Sequence, residues 1–202
     1  MAKIRLTKNE LKKQKDDLKR FTRYLPTLEL KKKQLLQEII TIQQEADKLN
    51  SEISQAETSI SKWVGVLAED VDLKEMVQVK ELRLDQGNIA GIDIPIFEDL
   101  EFETVTYDFF ETPFWVDTAV GLCQDQIKRY AALQVNEQQM VIVHEELRTT
   151  IQRIKLFEEV KIPEARENIR VIQIFLGDQS TAEVVRGKIA KAKIEKKKAG
   201  LV

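Results

Sequence analysis

Residues 18–67 read LKRFTRYLPTLELKKKQLLQEIITIQQEADKLNSEISQAETSISKWVGVL, and their spacing decides the fold. Every third or fourth position, in strict alternation, holds Leu18, Phe21, Leu25, Leu28, Lys32, Leu35, Ile39, Ile42, Ala46, Leu49, Ile53, Ala56, Ile60, Trp63 and Leu67. Fourteen of these fifteen residues are apolar, and Lys32 is the exception. A 3.5-residue repeat held over so many turns is the a/d seam of a left-handed coiled coil. At 1.5 Å per residue the helix is about 75 Å long. One apolar stripe of that length needs a partner helix of similar length to cover it.

Upstream, Thr7 with Glu10 three residues later has the form of a capping box, so a helix should open there and run into the seam. Pro26 falls between two seam residues and removes one backbone bond, which predicts a local kink with the phase resuming beyond it. Downstream of Leu67 the texture changes. Gly87, Gly91 and Pro95 punctuate the chain, and Ile92, Ile94 and Ile96 alternate with Asp93 and Pro95. A second alternation runs from Phe102 to Tyr107. These period-two runs predict short strands, so residues 85–117 are expected to form a small β-hairpin head, with Pro95 at an edge or a strand start. Such a head could pack on itself or present an apolar patch to a partner.

From Asp117 the pattern is helical again to about residue 195. Its apolar phase is read through Ile127, Tyr130, Gln134, Glu137, Val141, His144, Leu147, Ile151 and Ile154, then Glu158, Ile162, Ala165, Ile169, Ile172 and Leu176. The phase slips by one residue between Glu158 and Ile162. If the two arms pair antiparallel, facing residue numbers have a constant sum. A sum near 190 sets Ile60 against Tyr130, Ala46 against His144, Ile39 against Ile151 and Phe21 against Ile169. It also sets the two polar defects, Lys32 and Glu158, against each other as a register pair. The expected fold is therefore mainly α. It is a long antiparallel two-helix left-handed coiled coil with a small central β-hairpin and short-helix head. Its segments are an N-terminal arm (1–67), an acidic head (68–117) and a C-terminal arm with a basic tail (118–202).

Formal net charge is only −2, but it is unevenly spread. Residues 3–23 carry nine basic side chains against three acidic, and 186–198 carry seven against one. Residues 69–117 carry fourteen acidic side chains against three basic. The expectation is a rod with one basic end, formed by both termini, and one acidic end. The last dozen residues should project beyond the pairing as a lone helix or frayed tail.

No catalytic constellation is present. His144, the sole histidine, reads as a structural seam residue rather than a ligand, and Cys123 as an apolar filler that cannot form an internal disulfide. Gly187-Lys188 lacks the glycine and the hydroxyl residue that a phosphate loop needs, since Ala182 and Ile189 stand there. The acidic head lacks the ordered spacing of a calcium loop. No cofactor, metal or catalytic residue is assigned. The lysines near the C-terminus have no interleaved aromatics, which weighs against nucleic acid. No run of about 18 apolar residues exists, so no membrane span is expected.

Two stretches carry a family pattern. One runs from Lys3-Ile-Arg-Leu-Thr-Lys-Asn-Glu-Leu-Lys-Lys-Gln through Phe21-Thr-Arg-Tyr-Leu-Pro-Thr-Leu-Glu-Leu-Lys-Lys-Lys. The other is Phe157-Glu-Glu-Val-Lys-Ile-Pro-Glu-Ala-Arg-Glu-Asn-Ile-Arg, with Gly177-Asp-Gln and Val184-Val-Arg-Gly-Lys after it. Together they resemble the D subunits of bacterial V-type (A/V-type) rotary ATPases. The resemblance implies a non-catalytic central rotor shaft, cytoplasmic and peripheral to the membrane. It would pass torque between a hexamer of catalytic A and regulatory B subunits and the ring that moves H⁺ or another ion. The F subunit and a membrane-proximal stalk subunit are the other partners implied. The tip that would enter the hexamer is carried by Lys3, Arg5, Lys8, Lys12, Arg186, Lys188 and Lys191. The competing reading is a coiled-coil scaffold or chaperone-like interaction protein without ATPase partners.

Overall fold

A computed structural model of the chain describes residues 4–62, 65, 73–105, 112–198 and 200. The chain is mainly α-helical, with two long helical arms and, between them in sequence, a small antiparallel two-stranded sheet. Helix α1 spans Lys8–Ser61 and runs through Pro26, and a short α2 spans Leu73–Met76. Strands β1 (Val79–Ile89) and β2 (Ile92–Phe102) form the hairpin. Helix α3 covers Val116–Lys155, a π-helical segment covers Leu156–Lys161, and α4 covers Ile162–Lys198. Two compact units result, Lys31–Thr149 and Met1–Leu30 with Thr150–Val202.

The α1 seam is as expected. Each seam position from Leu18 to Ile60 is at least half-buried, with Leu35, Ile42 and Ile53 buried, and most positions between are exposed. Trp63 and Leu67 lie outside the described residues. Thr7 Oγ1 accepts the Glu10 N–H at 3.3 Å, which is the first half of the capping box and explains why α1 opens at Lys8.

The partner seam differs from the expectation by one residue over its first half. Gln134, Glu137, Val141 and His144 are exposed. One place earlier, Gln126, Arg129, Leu133, Asn136, Met140 and Val143 are half-buried or buried and lead in phase to Leu147, Thr150, Ile154 and Phe157, while Ile127 is half-buried and Val135 and Gln139 are buried beside them. Polar Gln126, Arg129 and Asn136 hide this phase from a hydropathy reading. His144 is thus a surface residue and not a seam residue.

The register differs too. In the Lys31–Thr149 unit, Lys31 Nζ meets Glu146 Oε1 at 2.6 Å, and the Tyr130 hydroxyl donates to Glu57 Oε1 at 2.7 Å. With seam residues lettered a and d, the first pair joins g positions and sums to 177. The second joins e positions and sums to 187, so the seam layers between them pair at 182. That is one heptad plus the one-residue phase error below 190. In the other unit Phe21 packs on Phe157, ring centroids 5.2 Å apart, in place of Ile169. Sliding one helix by seven residues returns apolar residues to apolar partners, so periodicity cannot choose between such registers. The pairing of Lys32 with Glu158 depends on the wrong register and falls with it. Lys32 is a half-buried seam residue, and Glu158 is exposed in the π-segment.

The phase slip at Glu158–Ile162 has a clear structural cause. Seam residues Phe157 and Ile162 are five apart, where an α-helical seam would step by four. The Ile162 N–H donates to the Phe157 carbonyl, the i→i−5 bond that accommodates one extra residue. Beyond it Ile162, Ala165, Ile169, Ile172 and Leu176 return to the buried face.

The hairpin is placed differently from the expectation. The Ile92–Ile96 alternation is the start of β2, and its partner lies upstream, with Leu82 opposite Leu100 and Gln86 opposite Pro95. β1 escapes the sequence pattern because it is exposed from Val79 to Gln86, so no buried face imprints its charged sequence. Thr104 and Val105 are not in a strand, and Thr106 and Tyr107 lie outside the described residues. Ala90 (φ 51°) and Gly91 (φ 82°) make the two-residue turn, whose Gly91 N–H donates to Asn88 Oδ1 at 3.1 Å. Nor does the hairpin stand at an end of the helix pair. It lies along α3, where Lys128 Nζ bonds Asp99 at 2.7 Å and Gln139 Nε2 donates to the Pro95 carbonyl. The Lys128 ammonium, then the Leu100 N–H, hold the Asp99 carboxyl below the ordinary aspartate pKa.

Two substitutions test this core. Thr150 is fully buried, and its hydroxyl has no partner among the described residues. Thr150→Val should stabilise the chain by about 1 kcal/mol, roughly 2–4 °C in a thermal melt; a lower midpoint would mean that the hydroxyl is satisfied. Deleting Val160 should convert the π-segment to α-helix with the seam in phase throughout. Circular dichroism should then show undiminished helicity and a cooperative melt. Loss of cooperativity would show that the extra residue is needed for packing.

Candidate partner-binding tip

In the unit formed by the two termini, α1 begins at Lys8, and the last half-buried residue of α4 is Leu176. Between these limits the pair is held by the Phe21–Phe157 contact and by Asn168 Nδ2 donating to Gln14 Oε1 at 3.3 Å. From Gly177 to Lys198 every residue of α4 is exposed. Side-chain hydrogen bonds here are local, such as the one from Thr181 Oγ1 to the Gly177 carbonyl. The lone helix is therefore longer than the dozen residues expected, for the same reason that the register is shifted.

Arg5 precedes α1, and Lys8 and Lys12 stand on its first turns, all exposed. Arg186, Lys188 and Lys191 stand exposed on the lone part of α4. Lys3 lies outside the described residues. None of the six described cations forms an ion pair among the described residues, so all six are free to meet an anionic partner.

A second feature of this helix escapes the seam reading. Phe175, Ala182, Val185, Ile189 and Ala192 follow one another by seven, three, four and three residues, which aligns them on one face. At 100° per residue that face is turned well away from Ile172 and Leu176. Val185 is 50% exposed and Ile189 52%, in a stretch of helix with no packed neighbour among the described residues. An isolated helix keeps such a stripe in water only at a cost. The spacing is legible in the sequence, but it belongs to a different face from the seam that ends at Leu176.

Among the described residues no group of side chains is arranged to hold a metal ion, and no helix is long and apolar enough to cross a membrane. What the arrangement offers is a stiff, basic, apolar-striped probe projecting from a paired coil.

The chain is similar in sequence to proteins of one family. The family model for the D subunit of ATP synthase matches residues 10–192. The chain is 46% identical over 197 residues to the V-type ATP synthase D subunit of Borreliella burgdorferi, covering 98% of both chains. It is 31% identical over 202 residues to that of Chlamydia pneumoniae and 32% identical over 200 residues to that of Chlamydia caviae. Each of these alignments covers 98% of this chain and 96% of the relative.

The exposed tail should contribute nothing to folding. A chain ending at Val185 should melt within about 0.5 kcal/mol of the full-length protein, as expected for the loss of uncontacted surface. A clear fall in the melting midpoint would mean that residues 186–202 pack on the coil.

Proposed function

The chain belongs to the ATP synthase D-subunit family, and we propose that it is the central shaft of a V-type ATPase. In this reading it passes torque between the hexamer of catalytic A and regulatory B subunits and the membrane ring that moves ions. It binds no nucleotide itself and works on the cytoplasmic side, peripheral to the membrane. The F subunit and a membrane-proximal stalk subunit are its other partners.

The observation that carries this reading is the lone helix from Gly177 to Lys198, exposed throughout and striped with apolar residues. A free-standing scaffold gains nothing from it. A shaft needs a part that stands clear of its own pairing, so that an axial cavity can close around it. The apolar stripe would turn against the cavity wall, and Arg5, Lys8, Lys12, Arg186, Lys188 and Lys191 would meet acidic or dipolar groups there. A shaft also needs resistance to twisting. Two helices locked along a common seam supply it, because rotating one against the other would expose the apolar layers.

Reconstituted complexes carrying the chain shortened to Val185 test the reading. ATP hydrolysis should persist, while ion movement per ATP falls to a small fraction of the full-length value. The triple replacement Arg186→Glu, Lys188→Glu and Lys191→Glu should have a weaker effect in the same direction. Unchanged coupling in the shortened complex, or an active complex lacking this chain, would refute the shaft.

A further inference from the structure

In the unit formed by Met1–Leu30 and Thr150–Val202, both arms lose backbone hydrogen bonds at one level. On α1, Pro26 has no N–H, so the Thr22 carbonyl lacks its α-helical donor. Two hydroxyls beside it also draw on the helix carbonyls. Thr22 Oγ1 donates to the Leu18 carbonyl at 2.9 Å and Thr27 Oγ1 to the Tyr24 carbonyl at 2.7 Å, an arrangement that loosens and bends helices. On the second arm the widened turn Leu156–Lys161 closes with an i→i−5 bond, and Pro163 withholds the next donor. The Phe21–Phe157 contact sets these features side by side. Phe157 is itself in the widened turn, and Pro26 stands five residues from Phe21, about 7.5 Å along the axis.

The arms are also joined without directional bonds here. Among the described residues, no hydrogen bond or ion pair crosses between them from Leu18 to Leu30, and the one such bond within the unit, Asn168 to Gln14, lies nearer the tip. Arg20 pairs with Asp17 and Lys161 with Glu164, each within its own helix. The seam residue Thr150 is fully buried, yet its hydroxyl has no partner among the described residues. What holds this level is apolar: Phe21 on Phe157, with Leu25, Leu28 and Ile154 in the seam. Hydrophobic contact has no preferred direction, so such layers yield to a small twist that a hydrogen bond or an ion pair would oppose. The widened turn can follow that twist. Residues 158–160 are exposed and no seam residue lies between Phe157 and Ile162, so the i→i−5 bond can shift by a residue while both seam side chains stay on their face. An α-turn and a π-turn differ in winding, so each such shift is a change of twist.

We propose that this level is a torsional joint, where twist collects at Pro26 and at the widened turn Leu156–Lys161 rather than spreading evenly along the coil. On both arms the joint lies, in chain order, between the basic tip and the Lys31–Thr149 unit. Under load the widened turn and the loosened stretch of α1 wind or unwind, and one side of the joint turns ahead of the other. Torque still passes, because the seam stays closed on either side, and the twist relaxes when the load falls. The inference rests on the shaft reading, since only a chain that carries torque is twisted in use.

Two measurements on the complex carrying the full chain test the joint. In amide hydrogen exchange, residues 22–30 and 156–163 should exchange about tenfold faster than residues 35–46 of the same coil. The second measurement reads stiffness. With the hexamer fixed to a surface and a bead on the hairpin, the bead's angle fluctuates thermally while ATP is withheld, and a softer shaft gives a wider spread. Pro26→Ala combined with deletion of Val160 restores both backbone ladders and should narrow the angular variance about twofold, with rotation on ATP retained. Pro26→Ala alone should narrow it by less, and it decides the matter if the combined variant fails to fold. The control Gln44→Ala should leave the variance unchanged. A wild-type bead that never rotates on ATP would sink the shaft reading. Rotation in the wild type, with the variance unaltered by either joint variant, would overturn the joint alone. Exchange at 22–30 and 156–163 no faster than at 35–46 would do the same.

Discussion

Everything in this protein depends on the burial of one α1 stripe against a second helical arm. Each half-buried layer removes a few aliphatic side chains from water, on the order of 1.5–3 kcal/mol for each large one fully buried. No single layer is decisive, and long arms supply many of them. The seam fixes direction and stiffness but leaves the register open by whole heptads. Polar contacts on the flanks then select it. Lys31–Glu146 and Glu57–Tyr130 sit on opposite flanks and are compatible with one register only. Lys31 and Glu146 are each about one-quarter exposed, so removing one of them would leave the other as a poorly solvated, unpaired charge.

The π-segment belongs to the same logic. The second arm carries one residue more than a continuous seam allows, and the chain absorbs it in a single widened turn at Leu156–Lys161. Pro163 follows directly, where its missing N–H cannot serve an α-helical bond. The widened turn and the proline therefore share one disturbance, and the seam on either side stays intact. Such turns concentrate at functional places in helices.

Much of this is legible in the sequence alone. The α1 seam, the capping threonine, the helical second arm and the one-residue slip at 158–162 all follow from spacing, because helix periodicity is written in the apolar residues themselves. The failures share one cause. Where buried positions are polar, as at Gln126, Arg129, Asn136 and Thr150, hydropathy points to the neighbouring residue. The expected register follows that phase, and so does the expected match of Lys32 with Glu158. β1 is invisible for the converse reason: a strand with both faces wet has no alternation to read. At the tip the basic residues are legible as charge. The spacing of the stripe from Phe175 to Ala192 is legible too, but its exposure is not, because an apolar repeat in a helix reads as pairing within the chain.

A shaft turns inside its complex. The most direct measurement fixes the hexamer to a surface, attaches a bead through a cysteine introduced at an exposed position of the hairpin, such as Gln86, and follows the bead while ATP is hydrolysed. The shaft account predicts sustained rotation in one direction that stops when ATP is withdrawn. A bead that stays fixed relative to the hexamer while hydrolysis continues would contradict it.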